Sequence, residues 1–215
     1  MKKQLAIGTT SALITMGAGL ATAQAAELAG WYGGVNLGRS DLKLNGGDVD
    51  GVFANQGLTT SSSIDRHDTA WSLNLGYSFT PNFALESGYV DFGEYNFNST
   101  ASAPAADTIN GRYKAYGYNL SAVGILPLQQ GFSIYGKAGL LRSRADFGAN
   151  SMGIVPVSDS THWGTDGTFG AGAGYDFTKN ITGKLEWNRY LNVGDSNATG
   201  RGDIDLYTAG VAYKF

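Results

Sequence analysis

Alternate residues at the end of the chain fall into two sets. Tyr207, Ala209, Val211, Tyr213 and Phe215 are mostly large and apolar, while Thr208, Gly210, Ala212 and Lys214 between them are small or polar. A period of two belongs to extended backbone, whose successive side chains point to opposite faces. The pattern recurs in seven segments upstream, over 31–44, 71–79, 83–89, 116–123, 132–141, 169–177 and 181–193. In the second of these, Trp71, Leu73, Leu75, Tyr77 and Phe79 oppose Ser72, Asn74, Gly76 and Ser78. In the last, Ile181, Leu185, Trp187, Leu191 and Val193 oppose Thr182, Lys184, Glu186, Asn188, Tyr190 and Asn192. Eight strands follow, and an even number of crossings returns the chain to the side from which it started. A tilted strand needs about 9–11 residues to cross a bilayer.

The links between strands alternate in length. Thr80-Pro81-Asn82, the stretch Pro127-Leu128-Gln129-Gln130-Gly131, and Thr178-Lys179-Asn180 are tight turns. The other links, over about 45–68, 98–110, 149–161 and 194–202, are long and rich in Gly, Ser, Thr, Asn and Asp. Short turns on one rim and long loops on the other is the arrangement of outer-membrane barrels, whose long loops face outside. A soluble sandwich gives no reason for such alternation. Composition agrees: 32 Gly but only 4 Pro argue against disorder and collagen, and only 15% of residues are charged. With no Cys to form a disulfide, an exported chain needs a large core or backbone pairing in a membrane.

The first residues read as a targeting segment. Lys2 and Lys3 precede an apolar stretch from Leu5 to Leu20 and then Ala23-Gln24-Ala25, the order of a secretory signal peptide with cleavage after Ala25. An uncleaved anchor is the alternative, but Gly8, Thr9, Thr10, Ser11 and Gly17 interrupt the stretch, which is shorter than the roughly 20 residues a spanning helix needs. The expected domains are thus a signal peptide, 1–25, and a barrel, 26–215. The barrel carries 13 basic against 18 acidic residues, a net charge of −5, without the basic patch that nucleic acid would need.

Alternation alone does not say which face points inward, since soluble ligand barrels have apolar interiors. Here the polar face carries Glu86, Lys137, Asp176, Lys184 and Glu186 among many Gly. That is a sparse exterior for a soluble protein but a workable lining for a narrow barrel, where opposite charges pair. The apolar face is therefore read as outward. Tyr77, Phe79, Phe83, Phe132, Tyr175, Phe177, Tyr213 and Phe215 flank the short turns, as an interfacial aromatic girdle does.

Several segments carry a family resemblance. Trp31-Tyr32-Gly33-Gly34, Phe83-Ala84-Leu85-Glu86-Ser87-Gly88-Tyr89, Ile134-Tyr135-Gly136-Lys137-Ala138-Gly139, Lys184-Leu185-Glu186-Trp187 and Gly210-Val211-Ala212-Tyr213-Lys214-Phe215 occur in an order and spacing that resembles the OmpA-like transmembrane-barrel family. The resemblance covers nearly all of 30–215. It implies an interior salt-bridge network, with Glu86 matching a strand-three glutamate, Lys137 a strand-five arginine, and Lys184 and Glu186 a strand-seven Arg-Leu-Glu. The family's strand-four lysine, the alternative partner of that glutamate, falls on Val123, so partner-swapping gating does not carry over. Full-length members also have a periplasmic peptidoglycan-binding domain; the sequence gives no counterpart, and cell-wall tethering is not expected. Tyr213 and Phe215 resemble the terminal signal read by the outer-membrane barrel-assembly machinery.

The remaining residues admit sharper and plainer readings. The charged set is a gate or a plug, and the plug is favoured because an eight-stranded interior is just wide enough for side chains to fill. Asp159-Ser160-Thr161-His162 and Asp65-Arg66-His67-Asp68 contain catalytic residue types, but sequence adjacency is not triad geometry. His67 and His162 match no metal-ligand spacing. Ala29-Gly30-Trp31 only approximates a lipocalin start, and Asn98-Ser99-Thr100 and Asn197-Ala198-Thr199 read as ordinary loop residues. Val52 and Phe53 in the longest loop could stabilise it or meet a partner, the plainer reading of that loop being a solvated spacer between strands.

The expectation is an all-β, eight-stranded, antiparallel up-and-down transmembrane barrel in the bacterial outer membrane. It is not an enzyme and has no cofactor, no metal and no nucleic-acid partner. Its role is structural, with loops that could meet an extracellular partner, and its surroundings are outer-membrane lipid and lipopolysaccharide. A narrow pore for ions or small solutes is the alternative, a lipid-modifying enzyme the third reading, and a soluble periplasmic ligand barrel the fourth.

Overall fold

A computed structural model describes residues 29–55, 57–103, 106–152, 159–195 and 200–215. The expected signal peptide lies outside these residues, as do Asn197, Ala198 and Thr199. The described elements are β1 (Gly30–Leu42), α1 (Gly46–Ala54), β2 (Thr59–Ile64), β3 (His67–Thr80), β4 (Phe83–Ala103), β5 (Asp107–Pro127), β6 (Phe132–Ser151), β7 (Ser160–Asp176), β8 (Ile181–Asp195) and β9 (Gly200–Lys214), with a 3₁₀ turn at Gln129–Gly131.

Each strand pairs antiparallel with its neighbours, and β1 pairs with both β3 and β9, so the sheet closes. Nine strands make eight staves. β2 continues β3 outward along β4, with Ile64 opposite Phe97 and Trp71 opposite Asp91. The break at Asp65-Arg66 faces a bulge between Asp91 and Glu94. A row of paired residues starting at Tyr32 runs through Gly76, Glu86, Ser121, Gly139, Thr168, Tyr190 and Ile204 and rejoins β1 at Leu42, ten residues higher. That offset is the shear. For eight strands it implies a tilt of about 40° and an interior that side chains can fill.

The apolar face points outward near the short turns. Leu37, Tyr118 and Leu140 are 62, 61 and 59% exposed, whereas Glu86 is 1% exposed. Water would penalise such an apolar exterior, and hydrocarbon would not. At the other end the polarity reverses. The lumen side of β6 passes from Tyr135, Lys137 and Gly139 to Leu141, Ala145 and Phe147, which are all buried. Its outer side passes from Phe132, Ile134 and Leu140, all exposed apolar residues, to Arg142, Arg144 and Asp146. The outer halves of the strands thus form a water-facing wall around an apolar core.

The long connections are shorter than expected. Residues 98–103 and 107–110 are paired strand, because their alternation of Ser, Thr and Ala with Ile109 suits the same pleat. Asn98-Ser99-Thr100 is therefore in β4, not in a loop. The segment 45–68 holds α1 and β2. Asn45 caps α1: its side chain accepts from the Asp48 amide, and the Asp48 carboxylate accepts from the Asn45 amide. Asp50 accepts from the hydroxyls of Thr60 and Ser62 at 2.8 and 2.6 Å, fixing the helix to β2. Val52 and Phe53 point into the barrel and are buried, so their role is packing. Phe53 meets Phe97 and Phe147 at ring separations of 6.1 and 5.9 Å, and those two rings stack at 4.8 Å. The helix is a roof over the lumen.

One phase assignment is corrected. Val193 was expected on the outer face with Leu191, but it is fully buried, and Asn192 is exposed. A bulge between Tyr190 and Val193, with Asn192 at φ 53°, inserts one residue and reverses the alternation.

Phe53→Ala is expected to cost about 3–5 kcal/mol, the range for a buried Phe truncated without collapse. Urea unfolding in micelles, followed by the mobility difference between folded and boiled protein, measures it. A change below about 1 kcal/mol would mean that α1 does not roof the core.

Candidate functional site: a charge cluster in the lumen

Glu86 on β4, Lys137 on β6, and Lys184 and Glu186 on β8 occupy lumen-facing positions of three staves. The shear brings them to one level. Lys137 Nζ lies 2.6 Å from Glu86 Oε1 and 3.0 Å from Glu186 Oε1. Lys184 Nζ lies 2.6 Å from Glu186 Oε1 and 3.7 Å from Glu86 Oε2. Each lysine touches both glutamates, so the four charges form a closed, alternating ring with no net charge. Their side chains are only 1–10% exposed. Desolvating four charges costs several kcal/mol each, which only mutual pairing and further hydrogen bonds offset.

Two tyrosines supply those bonds. The Tyr32 hydroxyl donates to Glu86 Oε2 at 3.0 Å, and the Tyr135 hydroxyl donates to Glu186 Oε1 at 2.8 Å. Asn188 Nδ2 adds a longer bond to Glu186 Oε2, at 3.4 Å. Alternation with Trp31 and Ile134 puts both tyrosines on the lumen face but by itself gives them no role. A signal was available: each lies across its strand pair from a glycine, Gly76 for Tyr32 and Gly172 for Tyr135. A Cβ at either glycine would collide with the tyrosine ring. The rings lie flat over the neighbouring strand because nothing stands there.

Asp176 does not join the ring. It has the lumen phase but is the last residue of β7, at the short-turn rim, with its side chain 42% exposed. There it accepts from the Thr182 hydroxyl and lies 3.5 Å from Lys214 Nζ. Alternation fixes a residue's face, while its distance from the turn decides which layer it enters. Val123, in register with Lys137, is buried with Ala84 and Tyr135 in a small apolar cluster. Tyr213 and Phe215 lie on the lipid face, 5.4 Å apart, and the Phe215 amide donates to the Trp31 carbonyl at 3.0 Å.

The two histidine-bearing segments are tied into local backbone structure. Asp65 accepts from the His67 amide, Asp68 from the amides of Thr69 and Glu94, and Asp159 from the Ala149 amide. His162 stands on β7 opposite Ala145. Among the described residues, no group of three or more His, Cys, Asp or Glu could hold a metal ion.

A second ion cluster sits above the apolar band. Arg189 grips Asp205 with two bonds of 2.6 Å, and Lys43 Nζ approaches Asp205 at 3.5 Å and Asp41 at 2.5 Å. The Arg189 hydrogen bonds hold the Asp205 carboxyl below the usual carboxylate range, against the effect of its burial.

The closed sheet, apolar outer wall and charged lumen define a transmembrane β-barrel. The OmpA-like transmembrane domain model matches residues 26–215, and the chain belongs to that family. It is 33% identical over 216 residues to outer membrane protein A of Shigella flexneri and 32% identical to that of Salmonella typhi, covering 99% of this chain in each case. It spans 56 and 55% of those proteins' lengths. Among solved structures it resembles Neisserial surface protein A (TM-score 0.55, 18% identity, 86% of this chain and 97% of that one). It also resembles Ail of Yersinia pestis (TM-score 0.52, 15% identity, 87% of this chain and 99% of that one). The chain is an outer-membrane protein of the Gram-negative envelope.

Lys137→Met leaves Lys184 to balance two buried glutamates and is expected to cost about 3–5 kcal/mol in micelle unfolding. Adding Glu86→Gln restores one pair and should recover part of that loss; if the double variant is no better than the single one, the ring does not act as a unit. The depressed Asp205 carboxyl adds stability that is complete above its ordinary pKa and disappears as pH falls through and below that range. The stability gap between wild type and Asp205→Asn should therefore narrow from pH 7 to about pH 3. A gap independent of pH would remove Asp205 from the account.

Proposed function

We propose that the chain is a non-enzymatic structural barrel of the outer membrane, with a lumen closed at two levels and strand ends that carry polar surface beyond the lipid. The observation that carries this reading is the double closure. The neutral Glu86–Lys137–Glu186–Lys184 ring fills the cross-section near the short turns. The aromatic core beneath α1 fills it near the other end. An apolar constriction without polar partners resists hydration, so ions meet two barriers in series. In this reading the barrel anchors in the envelope, and its assembly relies on Tyr213 and Phe215 at the closing strand. The outer ends of β4–β6 and α1 form the surface open to an extracellular partner.

One observation favours a pore as the second reading. Between ring and roof lie Asn36, Ser72, Asn119, Thr168, Asn188 and Thr208 on the lumen side of six strands. Asn36 Oδ1, Asn119 Oδ1 and Thr208 Oγ1 are buried there without a hydrogen-bond partner among the described residues. Buried polar atoms of this kind are commonly satisfied by water, and a wet middle layer is part of a conduction path.

Planar-bilayer recording separates the readings. The structural reading expects no steady conductance from the wild-type barrel. Steady conductance that Glu86→Ala or Lys184→Ala alters would replace it with the pore.

A further inference from the structure

The outer wall of β5–β7 changes character within one residue pair. The row Leu120–Leu140–Gly167 is the last apolar one, with both leucines more than half exposed. The next row is Tyr118–Arg142–Thr165, and the one above it is Tyr116–Arg144–Trp163. Arg142 Nη1 donates to Thr165 Oγ1 at 2.9 Å, and its guanidinium lies 5.9 Å from the Trp163 ring centre. The Arg144 guanidinium lies 5.7 Å from the same ring and 6.0 Å from that of Tyr116, and its Nε donates to Asp146 at 2.9 Å. Two guanidiniums thus share one exposed indole, just above the surface that lipid chains cover.

We propose that this cluster binds the phosphate groups of an outer-leaflet glycolipid. The first argument is position. Residues two apart on a strand are about 7 Å apart, so Arg142 stands at headgroup depth if Leu120 and Leu140 touch acyl chains. A ligand that fits both must join anionic groups to hydrocarbon. The second argument is charge. Among the described residues Arg142 has no carboxylate partner, whereas Arg144 pairs with Asp146 and Arg189, at similar depth on β8, with Asp205. On the β1–β4 wall the outward groups just above the band are Arg39, Asp41 and Asp91. Cationic excess is therefore greatest on this side: Arg112 and Lys114 stand above the pair with Glu94 3.9 Å from Arg112, whereas Lys43 on the β1 side is held between Asp41 and Asp205. The third argument is geometry. A guanidinium held over an aromatic ring loses less freedom on binding, and the edge N–H groups not given to Thr165 or Asp146 can donate to phosphate. The face of Trp163 beyond them, 47% exposed, offers a platform for a sugar ring. A leaflet of glycolipid places phosphate and sugar together at this height; a phospholipid supplies only the first.

The test uses the folded chain in maltoside micelles, titrated with bisphosphorylated lipid A and followed by native mass spectrometry. Arg142→Ala with Arg144→Ala should bind about tenfold more weakly, the loss of one or two charge-assisted bonds. The lysine pair should recover only part of the affinity, because ammonium groups neither stack nor fork. Arg39→Ala should match wild type. All these side chains are on the surface, and the gel-mobility shift verifies that each variant is folded. Equal binding of dephosphorylated lipid A would overturn the phosphate assignment. Equal binding of phosphatidylglycerol would overturn the choice of glycolipid. An equal loss in Arg39→Ala would show that general surface charge, not this cluster, governs binding.

Discussion

The hydrogen-bond ladder between β1 and β9 is the constraint on which the molecule depends. Hydrocarbon offers no partner to an unpaired peptide group, so a sheet crosses a membrane only when its last strand returns to its first. The closing register, with Tyr32 opposite Lys214 and Val35 opposite Val211, fixes a shear of ten. The shear in turn sets the lumen width and brings Glu86, Lys137, Lys184 and Glu186 to one level. A slip by one residue would turn every side chain of a strand to the other face. Glu86 or Lys137 would then stand in lipid without a partner. The buried charges thus penalise a slipped register.

Three layers of different chemistry follow one another inside the barrel. Nearest the short turns, charges neutralise one another and tyrosine hydroxyls complete their bonding. Above them amides and hydroxyls line the wall. Above these, aromatic rings pack as in a soluble protein under the capped helix. The outer surface follows a complementary sequence, apolar where the lumen is charged and charged where the lumen is apolar. The same strand serves two solvents, and its side chains change accordingly.

Much of this was legible from residue order. Alternation showed the staves, the choice of the outward face and the four ring charges, because period two leaves few alternatives once Lys137 and Glu86 must avoid lipid. Three features escaped the same logic. The polarity reversal near Leu141 is hidden in the sequence because the apolar residues there move to the other face, which ends the run of apolar residues in one phase. The bulge at Asn192 shifted Val193 inward, and one inserted residue leaves no compositional trace. Asp176 had the right phase but the wrong height, since layer depends on stagger around the barrel and stagger emerges only from the complete register. Phe53 was ambiguous for a related reason: an aromatic in a polar stretch has no neighbours until the barrel that receives it exists.

The two-solvent strand also bears on how the molecule enters its membrane. A barrel whose long connections end outside and which arrives from the short-turn side must carry the half bearing Arg112, Lys114, Arg142 and Arg144 through the hydrocarbon. Charged side chains at mid-bilayer cost several kcal/mol each. Passage is therefore steeply uphill unless the lipid is thinned or the strands travel shielded. Once across, the same cost opposes return. The water-facing wall acts as a one-way catch, making orientation a kinetic property of the finished barrel as much as an equilibrium one.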